Sequence, residues 1–387
     1  MAKFNFDNPT DRRGTFSYKW DSDKNALPMW VADMDFETAP VIKDAIIKRA
    51  EHGIFGYSYT PDEYFTSIAD YFERRHAYRF DTQDMVYSTG IVASVSSLVR
   101  KLSTPAENVL IQAPVYNIFY NCILNNGRNV LSSDLLYDGK KYEIDFADLE
   151  AKLALPQTTL FIVCNPHNPV GKIFTKDELA KIGELCKKHG VTVISDEIHC
   201  EFTNPKCAYT PFAAASETCR DISVTLVSNS KTFNLAGLAS ACAIAHSTPL
   251  RNKVYRALNT DEIGEPNAFA IPANIAAYTY GDEWLDELLD YINANKDYAR
   301  DFIKRELPTL NVPASNATYL LWVDISALGI DSVSFCKRLR EEGGLYINDG
   351  EEYGECGKYF VRINLATQRY RVEEGLQKLK AFINSSF

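Results

Sequence analysis

Residues 159–199 read TLFIVCNPHNPVGKIFTKDELAKIGELCKKHGVTVISDEIH. TLFIVC (159–164) and VTVIS (191–195) are short β-branched and aliphatic runs, the pattern of strands buried on both faces. Between them, over 176–189, Leu179, Ile182, Leu185 and Cys186 fall on one helical face, Thr175 and Glu178 have capping-box spacing, and Gly190 closes the end. Strand, helix and strand in that order predict part of a largely parallel sheet covered by helices. Outward from this stretch, MVYS (85–88), NVLIQAP (108–114) and TLVS (225–228) repeat the strand signal, so the fold class is α/β.

The last hundred residues change character. A long amphipathic helix is predicted over Asp282 to Glu306, then YLLWVDIS (319–326), a helix near 332–342 and YFVRINLA (359–366). This mixture predicts a smaller α+β domain. The expected division is a large domain over 50–282 and a small one made of 1–49 with 283–387, the N-terminal segment wrapping back onto the C-terminal lobe.

Composition narrows the function. A chain of 387 residues is long enough to bury a sizeable core without metals or disulfides. Its 41 basic and 51 acidic residues give a net charge of -10, and no basic run is present, so nucleic acid and anionic membranes are not expected partners. Nine cysteines, with no metal-type pairing of spacings, read as reduced thiols. MAKFNFDNPTDRRG lacks a signal-peptide core, and the longest apolar stretch, AGLASACAIA (236–245), is too short to span a bilayer. A cytoplasmic protein is expected. No G-x-G-x-x-G follows an early strand, which argues against a nicotinamide enzyme.

In open α/β sheets ligands sit beyond the carboxyl ends of strands. Those positions here hold STGIVAS (88–94), NPHNPVG (165–171), SDEIH (195–199) and SNSKTFNLAGL (228–238). Lys231, in a dry cleft, would lose its proton readily and condense with an aldehyde. Asp196, costly to bury alone, becomes stable beside a protonated pyridine nitrogen. The Ser88-Thr89-Gly90 turn opening a helix offers free N–H groups to a phosphate, with hydroxyls from Ser228 and Ser230. Tyr116 suits stacking on a flat ring, and Arg362 suits a bidentate grip on a carboxylate. Taken singly, each has a plainer reading: Lys231 as a solvated cation, Asp196 as a cap, the turn as an N-cap, Tyr116 as core, Arg362 as half of a surface ion pair. Their occurrence together on successive strand ends is what favours the chemical reading.

In that combination the chain resembles the fold-type I pyridoxal-phosphate (PLP) enzymes of the class I and II aminotransferase superfamily, over nearly its whole length. The resemblance implies that Lys231, in S-x-S-K, holds the cofactor as a Schiff base, that Asp196 pairs its ring nitrogen, and that Asn168, in NPxNP, binds its ring hydroxyl. It implies stacking by Tyr116, a carboxylate grip by Arg362, phosphate positions at Gly90, Ile91 and Ser228, and cofactor contacts at Val92 and Ser230. Tyr57, in FGYSY (55–59), matches a tyrosine that reaches the neighbouring subunit's site, which implies a homodimer and a share in catalysis for Tyr57.

Two departures stand out: His199 where many relatives have Tyr, placing a histidine against the cofactor, and Ala239 where many have Arg. With NPHNPVG, VADMDF (31–36) and SKTFNLAGL they resemble the carbon–sulfur β-lyase subgroup, of which cystathionine β-lyase is the best-known activity. This resemblance implies α,β-elimination of L-cystathionine, L-cysteine or a related S-conjugate to a thiol or hydrogen sulfide, pyruvate and ammonia, with Trp30, Val31, Tyr116, Asn168 and Arg362 shaping the substrate pocket. The alternatives are an amino-acid aminotransferase and, from another class, a PLP-binding regulatory or interaction protein. For His167 and His199, satisfied loop hydrogen bonds are the plainer expectation, and a metal site is not expected.

Overall fold

The computed structural model describes residues 3–387. Strands β1 (Met85–Ser88), β2 (Asn108–Ile111), β3 (Asn129–Ser132), β4 (Thr158–Cys164), β5 (Thr192–Asp196), β6 (Ser223–Val227) and β7 (Ala241–Ile244) form one seven-stranded sheet in the order β1-β7-β6-β5-β4-β2-β3. All run parallel except β7, which is antiparallel to both neighbours. Alternation along β4 shows why the run had to be apolar throughout. Leu160, Ile162 and Cys164 feed the core on one face, under helix α1 (Ile91–Leu102), while Phe161 and Val163 feed the other, under α2 (Lys176–His189). Each such side chain contributes roughly 1.5–3 kcal/mol by leaving water.

The α2 helix has the caps its sequence predicts: Thr175 and Glu178 close a reciprocal capping box, and Gly190 ends it in the left-handed conformation at φ 72°. Two strands of this seven-stranded sheet were not anticipated. Residues 241–244, ACAI, lie within the stretch read only as too short for a membrane, and their small residues have weak strand preference. NVLS at β3 is a short edge strand.

The small lobe is a three-stranded antiparallel sheet of β8 (Leu320–Asp324), β9 (Asn348–Asp349) and β10 (Phe360–Asn364), with β10 central. Its core is closed by α3 (Asp282–Glu306), α4 (Ser332–Gly343) and α5 (Arg369–Ser386). The N-terminal segment joins both lobes. Leu27–Pro28 pairs in parallel with Leu345–Tyr346, and Met29 enters the small-lobe core. Phe36, Ala39 and Ile42 pack instead with Tyr64, Ile271 and Trp284, and helix Pro40–Glu51 lies against helix Ala270–Tyr280.

Candidate active site

Strand register aligns the chemistry. Cys164 pairs with Asp196 and Asp196 with Leu226, so β4, β5 and β6 end level and the loops beginning at Asn165, Glu197 and Ser228 open side by side. They border a cavity of about 810 Å³ that the small lobe and the N-terminal segment help to wall.

Lys231 stands in the turn after β6, with its Nζ donating to Ala32 O at 2.5 Å. Burial pushes its pKa down to about 8, against the opposing pull of Asp33 and Asp196. Asp196, buried at the end of β5, accepts from Ile198 N at 3.1 Å; burial pushes its carboxyl up to about 6, with that hydrogen bond and Lys231 opposing. Ser228 Oγ donates to Ser240 O at 2.7 Å and accepts from Ser230 N at 3.1 Å, which fixes the turn that carries Lys231.

Also on the cavity wall, Gly90 caps α1 without a side-chain cap, which leaves the first N–H groups of the helix, from Ile91 and Val92 onward, without intrahelical acceptors. A Cβ at Gly90 would meet nothing within 4 Å. This opening at the N-terminus of a twelve-residue helix, with Ser230 and Ser240 on the same wall, suits a phosphate dianion.

Arg362 lies mid-strand in β10 and is 4% exposed. Its guanidinium donates to Asn168 Oδ1 at 3.1 Å, Trp30 O at 3.0 Å and Asn348 Oδ1 at 2.9 Å, and lies 4.8 Å from the Tyr353 ring centroid. These partners are all neutral. A buried cation without a carboxylate is costly, and a substrate carboxylate would relieve that cost.

Tyr116 and Val31 also line the cavity, as does Trp30, which stacks on Tyr346 at 4.6 Å. His199 is buried on the cavity wall with Nδ1 unpartnered, and burial reinforced by Lys231 and Arg362 pushes its pKa down to about 3, so the imidazole is neutral. His167 lies behind the loop, with Nε2 3.1 Å from Gln112 O and its pKa lowered to about 4 by burial. The plainer expectation thus fits His167 Nε2 and not His167 Nδ1 or His199 Nδ1, which lack partners.

Tyr57 is the one sequence-derived site residue that its own chain does not bring to the cavity: it is fully exposed, in an irregular segment with Ile54, Phe55 and Tyr59 also exposed. The structure adds residues that the sequence did not reveal. Ala32, through its carbonyl, holds both Lys231 and Tyr319 Oη (3.0 Å). The segment bearing it is fastened by Asp35, which is 1% exposed and accepts from Lys19, Arg12 and Trp20, each at 2.8 Å. Burial alone would raise the Asp35 carboxyl, but Lys19 and these hydrogen bonds hold it down to about 2. Asn117, Asn121 and Asn125 present a polar stripe to the cavity, and their i, i+4, i+8 spacing was the signal available in the sequence. Asn348, Glu352 and Tyr353 gave no such signal, because β9 and the turn after it assemble them.

An amine, a buried carboxylate and an anion cradle in one cavity fit the aldehyde, ring nitrogen and phosphate of PLP. The chain belongs to the aminotransferase class I and II family, which it matches over residues 25–379. Its architecture is the fold-type I PLP transferase fold, a mostly parallel sheet flanked by helices with a smaller α+β part. Among curated relatives, cystathionine beta-lyase PatB of Bacillus subtilis is 41% identical, over 98% of this chain and 100% of its own length. Protein MalY of Escherichia coli is 37% identical, over 97% and 98%. The solved PLP-bound C-S lyase of Staphylococcus hominis superposes with a TM-score of 0.93 at 34% identity, covering 99% of this chain and 98% of that one.

Proposed function

We propose that this chain is a PLP-dependent carbon–sulfur β-lyase acting on L-cystathionine, L-cysteine or a related S-conjugate. The observation that carries the reading is the placement of the Lys231 amine in one cavity with Asp196, the α1 N-terminus and the Arg362 guanidinium, whose hydrogen-bond acceptors are all neutral. The names carried by the Bacillus and Staphylococcus relatives favour elimination over amino transfer.

In this reading Lys231 would hold the cofactor aldehyde, Asp196 would accept a hydrogen bond from its protonated ring nitrogen, and Asn168, with the neutral His199 on the same cavity wall, would bind its ring hydroxyl. Tyr116 would stack on its ring, and the N–H groups at Gly90, Ile91 and Val92 with Ser228 and Ser230 would take the phosphate. The bound cofactor supplies an electron sink for the pair left at the substrate α-carbon. Arg362 and Asn168 orient the α-carboxylate, while Trp30 and Val31 shape the space beside it. Once the substrate's amine has displaced it, Lys231 Nζ takes the α-proton. The Cβ–S bond then breaks, the leaving thiolate receives a proton from Lys231 or Tyr57, and released aminoacrylate takes up one water to give pyruvate and ammonium. General acid–base transfer of this kind is worth about 10²–10⁴-fold. Pyruvate formation from L-cystathionine without a keto acid tests the reading; pyruvate that requires a keto acid would move the chain to the aminotransferases.

Arg362→Lys keeps the charge but loses the planar fork that three neutral acceptors and a carboxylate share. We expect kcat/KM to fall by about 10²-fold, mostly through KM; steady-state kinetics of this variant check it.

We place the chain in the cytoplasm as a homodimer that completes each site with the neighbour's Tyr57. In support, its nine cysteines are free thiols, no described helix is long and apolar enough to cross a membrane, and the segment around Tyr57 is exposed and aromatic. Mixing inactive Tyr57→Ala and Lys231→Ala chains should then restore about a quarter of the sites, because hybrid dimers hold one intact site. Failure to recover any activity, with hybrids demonstrated by mass, would contradict the shared site. We further read 50–282 as the large unit and 1–49 with 283–387 as the small one, and the packing of Ile42 with Ile271 argues for moving the first boundary a few residues earlier.

A further inference from the structure

The cavity holds a carboxylate that the reaction above leaves unused. Arg362 stands directly across the β9–β10 pairing from Asn348. Asn348 accepts from Arg362 through Oδ1 and donates through Nδ2 to Glu352 Oε1, four residues further on in the turn after β9. The other oxygen, Glu352 Oε2, accepts from Asn117 Nδ2 at 2.7 Å. Asp196 and Glu352 are the acidic side chains of the cavity wall, and they have different surroundings. Asp196 ends the central strand β5, where the ring nitrogen is expected. Glu352 belongs to the small lobe, one amide beyond the group that grips the substrate's α-carboxylate.

The partners of Glu352 are neutral, two amides and the hydroxyl of Tyr353. A carboxylate accepts about four hydrogen bonds, so it has capacity left on the cavity side. Burial pushes its carboxyl above the usual range while Arg362, one amide away, opposes. Such a group is stabilised by an arriving cation. The same charge would find aromatic neighbours, because Trp30 and Tyr18, ring centroids 5.1 Å apart, also line the cavity.

We propose that Glu352 is the specificity determinant for the far arm of the thioether, selecting substrates whose departing thiolate carries an ammonium group. This rests on the C–S lyase reading and deepens it. Arg362 grips the α-carboxylate, and through Asn348 the same strand pair sets the distance at which the second charge is read. L-cystathionine belongs to the selected class, whereas simple S-alkyl cysteines do not.

S-(2-aminoethyl)-L-cysteine and S-propyl-L-cysteine isolate the effect, since they match in length and differ in a terminal ammonium against a methyl group. The PLP-loaded protein should favour the aminoethyl compound in kcat/KM by about tenfold or more, chiefly through KM. In Glu352→Gln that preference should collapse to about unity, with turnover of the propyl compound showing that the variant is folded. A wild-type ratio near one, a preference that survives in Glu352→Gln, or an equal loss on both compounds would overturn the proposal. Should neither compound nor L-cystathionine yield pyruvate, the lyase reading itself falls, an outcome distinct from an absent preference.

Discussion

Lys231→Ala is expected to reduce pyruvate formation from L-cystathionine by at least about 10⁴-fold, since one amine both holds the cofactor and moves the α-proton. Fold loss is not the expected cause. The lysine's burial already lowers its proton affinity, so removing it relieves a desolvated cation rather than a stabilising ion pair, and its hydrogen-bond acceptor, Ala32 O, keeps Tyr319 as a donor. Circular dichroism should therefore remain native while activity vanishes. A small amine added to the variant should restore part of the turnover. Undiminished activity would remove Lys231 from the mechanism.

Asp196→Asn separates function from stability. Activity should fall by on the order of 10³-fold, because an amide does not hold the proton on the ring nitrogen that makes the cofactor an effective electron sink. Stability of the cofactor-free protein should move the other way. Burial raises the folded-state pKa of Asp196 to about 6, above its unfolded value, so the ionised carboxylate is a cost to the empty fold above pH 6. The variant should gain about 2–3 kcal/mol at pH 8, a gain that fades as pH falls through 6 and is gone near the unfolded carboxylate pKa. Denaturant titration of both cofactor-free proteins at pH 8 and pH 5 measures this. A less stable variant at pH 8 would mean that Asp196 is satisfied within the empty fold.

Much of this site was legible in the sequence because its residues follow apolar strands whose ends the fold aligns. Asp196, Lys231 and Asn168 sit within a few residues of β5, β6 and β4, and local pattern located them. Arg362 was found at a strand although it lies mid-strand, where side-chain alternation rather than strand end aims it at the cavity. What escaped depends on contacts between distant segments. The Ala32 carbonyl has no side-chain signature, and Glu352 gains its meaning from Asn117, 235 residues away. β7 escaped because antiparallel insertion between β1 and β6 is set by its partners, not by the weak preferences of Ala and Cys. Tyr57 illustrates the remaining limit, since a residue that would act in another subunit has no partner within its own chain.

The most direct test of the C–S lyase reading is a time course of L-cystathionine with the PLP-loaded protein and no keto acid, following homocysteine, pyruvate and ammonia together. Equal amounts of the three, lost together in Lys231→Ala, are the expected result. Substrate consumed without pyruvate, or pyruvate formed only when a keto acid is supplied, would contradict it.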